Sequence, residues 1–183
     1  MKTTLKIALF LMLSTAFVFG ETLGLSDSSR QFNAWTVYPS VGNQSVLLQV
    51  TSQPRDNDIQ GTQVQVKLDV VCRRDKVVAL AVETNMPIEK DSTSFTDVPT
   101  TRVALVSGDQ TVRSENWAVL NGGHTLSPYS ETFQGKLTRY WMKRLVDNQQ
   151  LTLHLGSASG DVAQPTFDTR QLNEALSSAG CSY

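Results

Sequence analysis

The sequence predicts a mainly β fold of the α+β type: an antiparallel curled sheet or sandwich with two late helices and one intrachain disulfide. Three observations lead to this prediction. Apolar and polar residues alternate over residues 63–70, which is the period of a half-buried strand. Residues 107–110 read Ser-Gly-Asp-Gln, a hairpin turn between two β-rich segments. Helical spacing of apolar residues begins only near Gln134.

Two strands are predicted before residue 52. The segment from Phe32 to Tyr38 is rich in aromatic and β-branched residues and ends at Pro39, which indicates one edge strand. A turn at Gly42-Asn43 leads into a second strand from Ser45 to Thr51. Residues 53–61 contain Pro, Asp, Asn and Gly, so they are predicted to form a loop.

The central hairpin carries the clearest periodic signal. Its first strand alternates valine and leucine with polar residues up to Val70 and continues to Cys72, which predicts one buried face and one wet face. The charged segment from Arg73 to Lys76 reverses the chain, and Val77 to Val82 forms the return strand.

A long polar connection, residues 83–99, precedes a second hairpin. Its strands are predicted from Thr101 to Val106 and from Thr111 to Leu120. The segment that follows, Asn121 to His124, contains two glycines and is predicted to be a flexible loop.

Two helices and two short strands complete the chain. The first helix has an apolar face with spacing i, i+3, i+4 and i+8, formed by Leu137, Tyr140, Trp141 and Leu145. Strands are predicted at Leu151–Leu155 and at Thr166-Phe167. The second helix is predicted from Asp168 to Gly180, with Asp168 as N-cap and Gln171 completing a capping box.

The beginning of the chain predicts export. Residues 1–20 combine two lysines, a short apolar run and small residues before a polar break, which is typical of a secretory signal peptide. The run is shorter than the roughly 20 apolar residues that span a bilayer, so a membrane anchor is the weaker alternative. Residues 21–183 are then expected to form one periplasmic or secreted domain without a membrane span. Its acidic balance gives no reason to bind nucleic acid.

Cys72 and Cys181 are the only cysteines, and an exported protein usually pairs an even number of them. A redox pair normally has the spacing Cys-x-x-Cys, and a metal site needs three or four ligands. Neither pattern is present, so a structural disulfide is predicted, with no metal and no cofactor.

Catalytic patterns are weak, and the chain is predicted not to be an enzyme. His124 and His154 are the only histidines, and neither has the neighbours that a hydrolytic triad needs. Residues 156–160 resemble a nucleophile elbow but carry Ala158 at its centre. A glycosidase would need two facing carboxylates. The candidates for such a pair, all in polar loops or at strand ends, are Glu83, Glu89, Asp91, Asp97, Glu115 and Glu131.

A partner surface is the remaining possibility for a site. Trp35 and Trp117 are candidates for exposed aromatic anchors, although core packing is the main explanation for both. His124 joins them as a candidate because it lies in the predicted loop after two glycines.

Several segments of residues 64–183 form a recognisable pattern. They are Leu68–Arg73 with its cysteine, Trp117, Tyr140–Leu145, Leu151–Leu153, Thr166–Asp168 and the closing Leu172, Glu174–Leu176 and Cys181. Together these segments resemble the type VI secretion-associated VasI/TagO-like periplasmic accessory proteins. Residues 21–60 show no match, and Ser182-Tyr183 stands where the family usually ends in Gly-Trp. The resemblance implies a bacterial periplasmic β-rich domain without enzymatic activity and with an accessory role in a secretion system or envelope assembly.

Three functional hypotheses follow. The first is a non-enzymatic periplasmic accessory protein that binds a protein partner of the cell envelope. The second is an exported inhibitor or immunity protein that inserts a loop such as Asn121–Pro128 into a cell-wall hydrolase. The third is a glycan-active enzyme with a carboxylate pair in a pocket.

Overall fold

The computed structural model describes residues 29–39, 45–53, 58–59, 62–88, 90–93, 97–107, 110–130, 134–156 and 162–183. The predicted signal peptide lies outside these residues. The strands are β1 (Arg30–Phe32), β2 (Trp35–Pro39), β3 (Ser45–Thr51), β4 (Asp58–Ile59), β5 (Thr62–Gln63), β6 (Val66–Arg73), β7 (Lys76–Thr84), β8 (Ser92–Thr93), β9 (Pro99–Ser107), β10 (Gln110–Leu120), β11 (Thr125–Pro128), β12 (Gln150–Gly156), β13 (Val162–Ala163) and β14 (Thr166–Asp168). The helices are α1 (Gln134–Asp147) and α2 (Leu172–Ser178), and a 3₁₀ turn spans Asn121–Gly123.

The predicted fold class is confirmed. Twelve of these strands form one antiparallel sheet in the order β1-β2-β3-β6-β7-β11-β10-β9-β12-β13, with β14 on β12 and β8 on β9. The sheet curls so that the region of β1–β3 contacts β14. The backbone N–H of Gln53, just after β3, donates to the carbonyl of Thr166 in β14 at 2.9 Å. Asn33 also reaches Asp168 across this seam at 3.0 Å. The apolar core fills the inside of the curl.

The first predicted strand is in fact a hairpin. The segment from Phe32 to Tyr38 contains the end of β1, a two-residue turn and most of β2. Asn33 in the turn has a φ of 51°. Asparagine tolerates this left-handed conformation better than most residues, so a single polar residue reverses a segment that otherwise has strand composition.

The central and second hairpins are confirmed. β6 pairs with β7, and β9 pairs with β10, both antiparallel. The prediction that the polar residues of β6 face solvent is wrong at one position, because Asp69 is only 1% exposed. The polar connection after β7 also contains the short strand β8 and the buried side chain of Ile88.

The first late helix is confirmed, and the second begins later than predicted. Trp141, Met142 and Leu145 bury one face of α1 in the core. Asp168 does not cap α2. Its carboxylate instead accepts hydrogen bonds from Arg170 and Asn33, and the Arg170 contacts are the main reason that its pKa falls to about 2. The N-cap position is Gln171, at a φ of 62° and without a side-chain cap.

Candidate functional site

A disulfide between Cys72 and Cys181 joins the end of β6 to the segment after α2. The bond closes a separation of 109 residues, with the two Cα atoms 6.1 Å apart, so the predicted pairing is confirmed. Gly180 ends α2 at a φ of 67°, and the amides of Gly180 and Cys181 donate to the carbonyls of Ser177 and Leu176. This is the Schellman arrangement, which satisfies the last carbonyls of the helix and turns Cys181 back toward the sheet.

The segment after the disulfide pairs with the turn between β6 and β7. The backbone N–H of Ser182 donates to the carbonyl of Asp75 at 2.7 Å, and the N–H of Val77 donates to the carbonyl of Ser182 at 2.8 Å. Arg74 and Asp75 have φ values of 50° and 65°, as a two-residue type I′ hairpin requires. The covalent bond and this small parallel bridge hold the turn and the terminal segment together.

A cavity of about 520 Å³ opens beside the disulfide. We call it the disulfide groove, and its lining residues are Pro39, Ser45, Val46, Cys72, Arg74, Asp75, Ala179 and Cys181. They come from the β2–β3 region, the β6–β7 hairpin and the end of α2. The groove is therefore assembled from segments far apart in the chain, and the disulfide is part of its wall.

Exposed apolar side chains lie close to the same bridge. Val78 is 41% exposed and Tyr183 is 45% exposed, and they are the large apolar side chains that the described part of the chain leaves exposed. Val78 is two residues after Lys76 and Tyr183 is one residue after Ser182, the two residues that form the bridge. Neither side chain is among those that line the groove, so the exposed apolar surface adjoins the bridge and not the groove wall itself.

The turn beside the groove is basic. Arg73, Arg74, Asp75 and Lys76 are all exposed, which gives three cations against one carboxylate. The ion pairs found among the described residues are Arg113–Glu115 and Arg170–Asp168, so the three cations of this turn form none there.

The two tryptophans predicted as alternatives for a partner surface lie in the core. Trp35 and Trp117 are both fully buried, so the core explanation applies and neither offers an exposed anchor. Trp117 packs edge-to-face on Trp141 at 5.1 Å between ring centroids. The indole N–H of Trp141 donates to Glu115 at 2.8 Å, so this predicted carboxylate candidate anchors α1 to β10.

His124 is half-buried, and the segment around it is not a protruding loop. Its Nδ1 lies 3.0 Å from the carbonyl of Thr84, and its own carbonyl accepts the N–H of Thr84 at 2.9 Å. The residues after it form β11, which lies between β7 and β10 with Thr125, Leu126 and Pro128 buried. The prediction that Asn121–Pro128 is a loop able to enter a partner's cleft is therefore wrong.

The carboxylate candidates are spread over the molecule. Asp91 accepts the backbone N–H of Arg102 at 2.9 Å, Asp97 is exposed, and Glu89 and Glu131 lie outside the described residues. Glu83 has a carboxylate neighbour that sequence reasoning missed, because Asp69 lies diagonally opposite it in the β6–β7 register. Neither of these two residues lines the disulfide groove.

Asp69 is the most perturbed acid among the described residues. Burial is the largest cause that raises its pKa, to about 7, and the negative charge of Glu83 acts in the same direction. A hydrogen bond from Gln49 at 2.9 Å and the charge of Lys67 oppose the rise. Only the alternation of β6 was visible in the sequence, and it placed Asp69 in solvent.

Comparison with known proteins gives no neighbour from which a function could be transferred. No family model matches the sequence, and neither the curated proteins nor the solved structures include a significant match. Within the described ranges, no helix combines the length and apolar character needed to cross a membrane.

Proposed function

We propose that this chain is a non-enzymatic accessory protein of the bacterial periplasm that binds another protein of the cell envelope. The disulfide groove is the proposed binding site. The observation that carries this proposal is a groove of about 520 Å³ with the disulfide in its wall, together with the exposed side chains of Val78 and Tyr183 near the adjoining Lys76–Ser182 bridge. Exposed apolar surface beside a concave site is typical of protein interaction sites.

The disulfide supports the location. A bond that closes 109 residues stabilises a domain only where thiols can be oxidised, as in the periplasm. The signal-like residues 1–20 agree with this compartment. The resemblance to type VI secretion-associated accessory proteins extends the proposal to a secretion system or envelope assembly as the partner's context.

Site-specific photo-crosslinking in the source organism tests the proposal. Val78 is replaced by the photoreactive benzoyl-phenylalanine, and in a matched control the same residue replaces Arg139, which is exposed on α1, whereas Val78 is two residues from the bridge residue Lys76. We expect Val78 to give one defined adduct that Arg139 does not give. Mass spectrometry of the adduct then shows whether the partner is a secretion component or a cell-wall hydrolase.

The adduct should also depend on the groove. In the Cys181→Ser variant the segment after α2 is no longer tied to β6, so the Val78 adduct should be lost while the protein is still exported. The absence of any adduct at Val78, or the same adducts at both positions, would contradict the proposal.

A further inference from the structure

The charge of the β6–β7 turn indicates what kind of partner segment the disulfide groove binds. We propose that the groove receives an extended acidic segment of a partner protein, with one apolar side chain in the cavity and carboxylates on the basic turn. This inference rests on the proposed function and specifies the chemistry of the partner at the same site.

The cations of the turn are available for such a ligand. Arg73, Arg74 and Lys76 are exposed and form no ion pair with the described residues, and Arg74 is the one that lines the groove. The side chain of Asp75 is the one carboxylate among them, and its backbone carbonyl is already occupied by Ser182 at 2.7 Å. A local positive charge therefore lies on a chain whose net charge is −1.

The cavity supplies the apolar half of the site. Its walls include Pro39, Val46, Ala179 and both cysteines, and Arg74 and Asp75 of the basic turn complete them. A volume of about 520 Å³ falls within the range of about 300–1,000 Å³ for ligand sites. An apolar side chain can therefore enter while its neighbours stay beside the cations.

The site is also preorganised. The disulfide, the left-handed turn residues Arg74 and Asp75, and the backbone bridge to Ser182 fix the position of the turn relative to the end of α2. A rigid site loses less conformational entropy on binding, so a short segment can bind without folding a larger surface.

The same observations favour a peptide over nucleic acid or a membrane surface. Three cations at one turn match a few carboxylates, whereas nucleic acid binding depends on many phosphate contacts along a basic surface. The negative net charge of the chain disfavours approach to an extended polyanion. A peptide with an apolar side chain between carboxylates can contact both the cavity and the cations of the turn.

Fluorescence anisotropy with two labelled peptides tests the inference on the oxidised full-length mature chain. Both peptides have a central leucine, which is flanked by aspartates in one and by lysines in the other. We expect the acidic peptide to bind about tenfold more tightly or better, and its affinity to fall with salt. Equal affinity of the two peptides, or binding to phosphatidylglycerol vesicles but not to the acidic peptide, would overturn the inference.

A charge reversal at the turn provides the residue-level test. Arg74 is the cation of the turn that lines the groove, so the Arg74→Glu variant places a negative charge in the groove wall. We expect about tenfold weaker binding of the acidic peptide. The matched control is Arg139→Glu on the exposed surface of α1, which should stay within about twofold of wild type because it is outside the groove. Unfolding curves and thiol titration verify that both variants are folded and oxidised.

Filling the cavity separates the apolar contact from the charge contact. Ala179→Leu places a larger side chain in the groove wall. It should weaken the binding of the acidic peptide that has leucine at its centre more than the binding of an acidic peptide that has glycine there. An equal effect on both peptides would refute the apolar anchor. If the partner crosslinked at Val78 is retained after the Arg74→Glu change, the acidic-segment inference fails while the proposed function stands. If Val78 crosslinks no partner, the proposed function itself fails.

Discussion

Removal of the disulfide should destabilise the whole fold and release its C-terminal end first. The perturbation is the Cys72→Ser/Cys181→Ser double variant, which leaves no free thiol. The bond closes a separation of 109 residues. Chain-entropy reasoning for a loop of that size gives a contribution of about 4.8 kcal/mol to the free energy of unfolding. Since small domains are stable by about 5–15 kcal/mol in total, this loss is a large fraction of the stability.

The loss of stability after removal of the disulfide should not be uniform along the chain. α2 has only seven residues, and a helix of that length is marginal without tertiary contacts. Leu172, Ala175 and Leu176 hold it on the core, and the disulfide holds its far end. Residues 172–182 should therefore open locally at a lower free energy than the central strands.

Two measurements check this prediction. Urea unfolding should give a free energy lower by about 2–5 kcal/mol for the double variant than for the oxidised wild type, and reduced wild type should match the variant. Hydrogen exchange should show the main increase in residues 172–182, with β9 and β10 as internal controls. Equal unfolding free energies, together with unchanged protection of α2, would refute the view that the bond holds this end of the fold.

The remaining predictions concern single side chains in the interior. Asp69 has a folded-state pKa of about 7 instead of 3.8, so the folded state binds more protons between these values. The free energy of unfolding should fall by up to about 1.4 kcal/mol per pH unit as pH rises toward 7, and Asp69→Asn should remove that slope in denaturation curves. Trp141→Phe should destabilise more than Trp117→Phe, because only Trp141 has an indole N–H with a partner among the described residues; equal losses would contradict this. Gly123→Ala should cost about 1–3 kcal/mol in thermal or urea unfolding, since a Cβ there would lie 2.6 Å from a backbone oxygen. Gly122→Ala is the matched control, with positive φ but open space, and an equal loss there would assign the cost to φ alone.

Local patterns in the sequence were sufficient for the parts of the fold with regular periodicity. Ser45–Thr51 forms a strand with the predicted bounds, and α1 has its buried face where the helical spacing of Leu137 to Leu145 placed it. Export chemistry and a count of two cysteines were sufficient to predict the bond. The strand and helix predictions depend on residues that are neighbours in the chain. The disulfide prediction depends on the fact that two cysteines allow only one pairing.

Apart from the local turn at Asn33 that divides β1 from β2, the failures involve contacts between distant segments. The pattern of β6 predicts two faces but cannot show that β3 supplies Gln49 and β7 supplies Glu83 beside Asp69. β11 was missed because Thr125–Pro128 is short and contains a proline, and its strand character comes from lying between β7 and β10. The disulfide groove has the same origin, since its walls come from three separate parts of the chain.

The composition of the groove would tie the proposed recognition to the state of the disulfide. Cys72 and Cys181 line the cavity, and the bridge from Ser182 fixes the turn that carries the proposed cationic contacts. Opening the bond would free the wall formed by the end of α2 and at the same time release the basic turn from the segment that orders it. The apolar anchor and the charges would then no longer be held at a fixed distance, and a preorganised site would become two independent weak contacts. On this reasoning one covalent bond serves both stability and binding, so partner binding should begin only after oxidation has closed the fold.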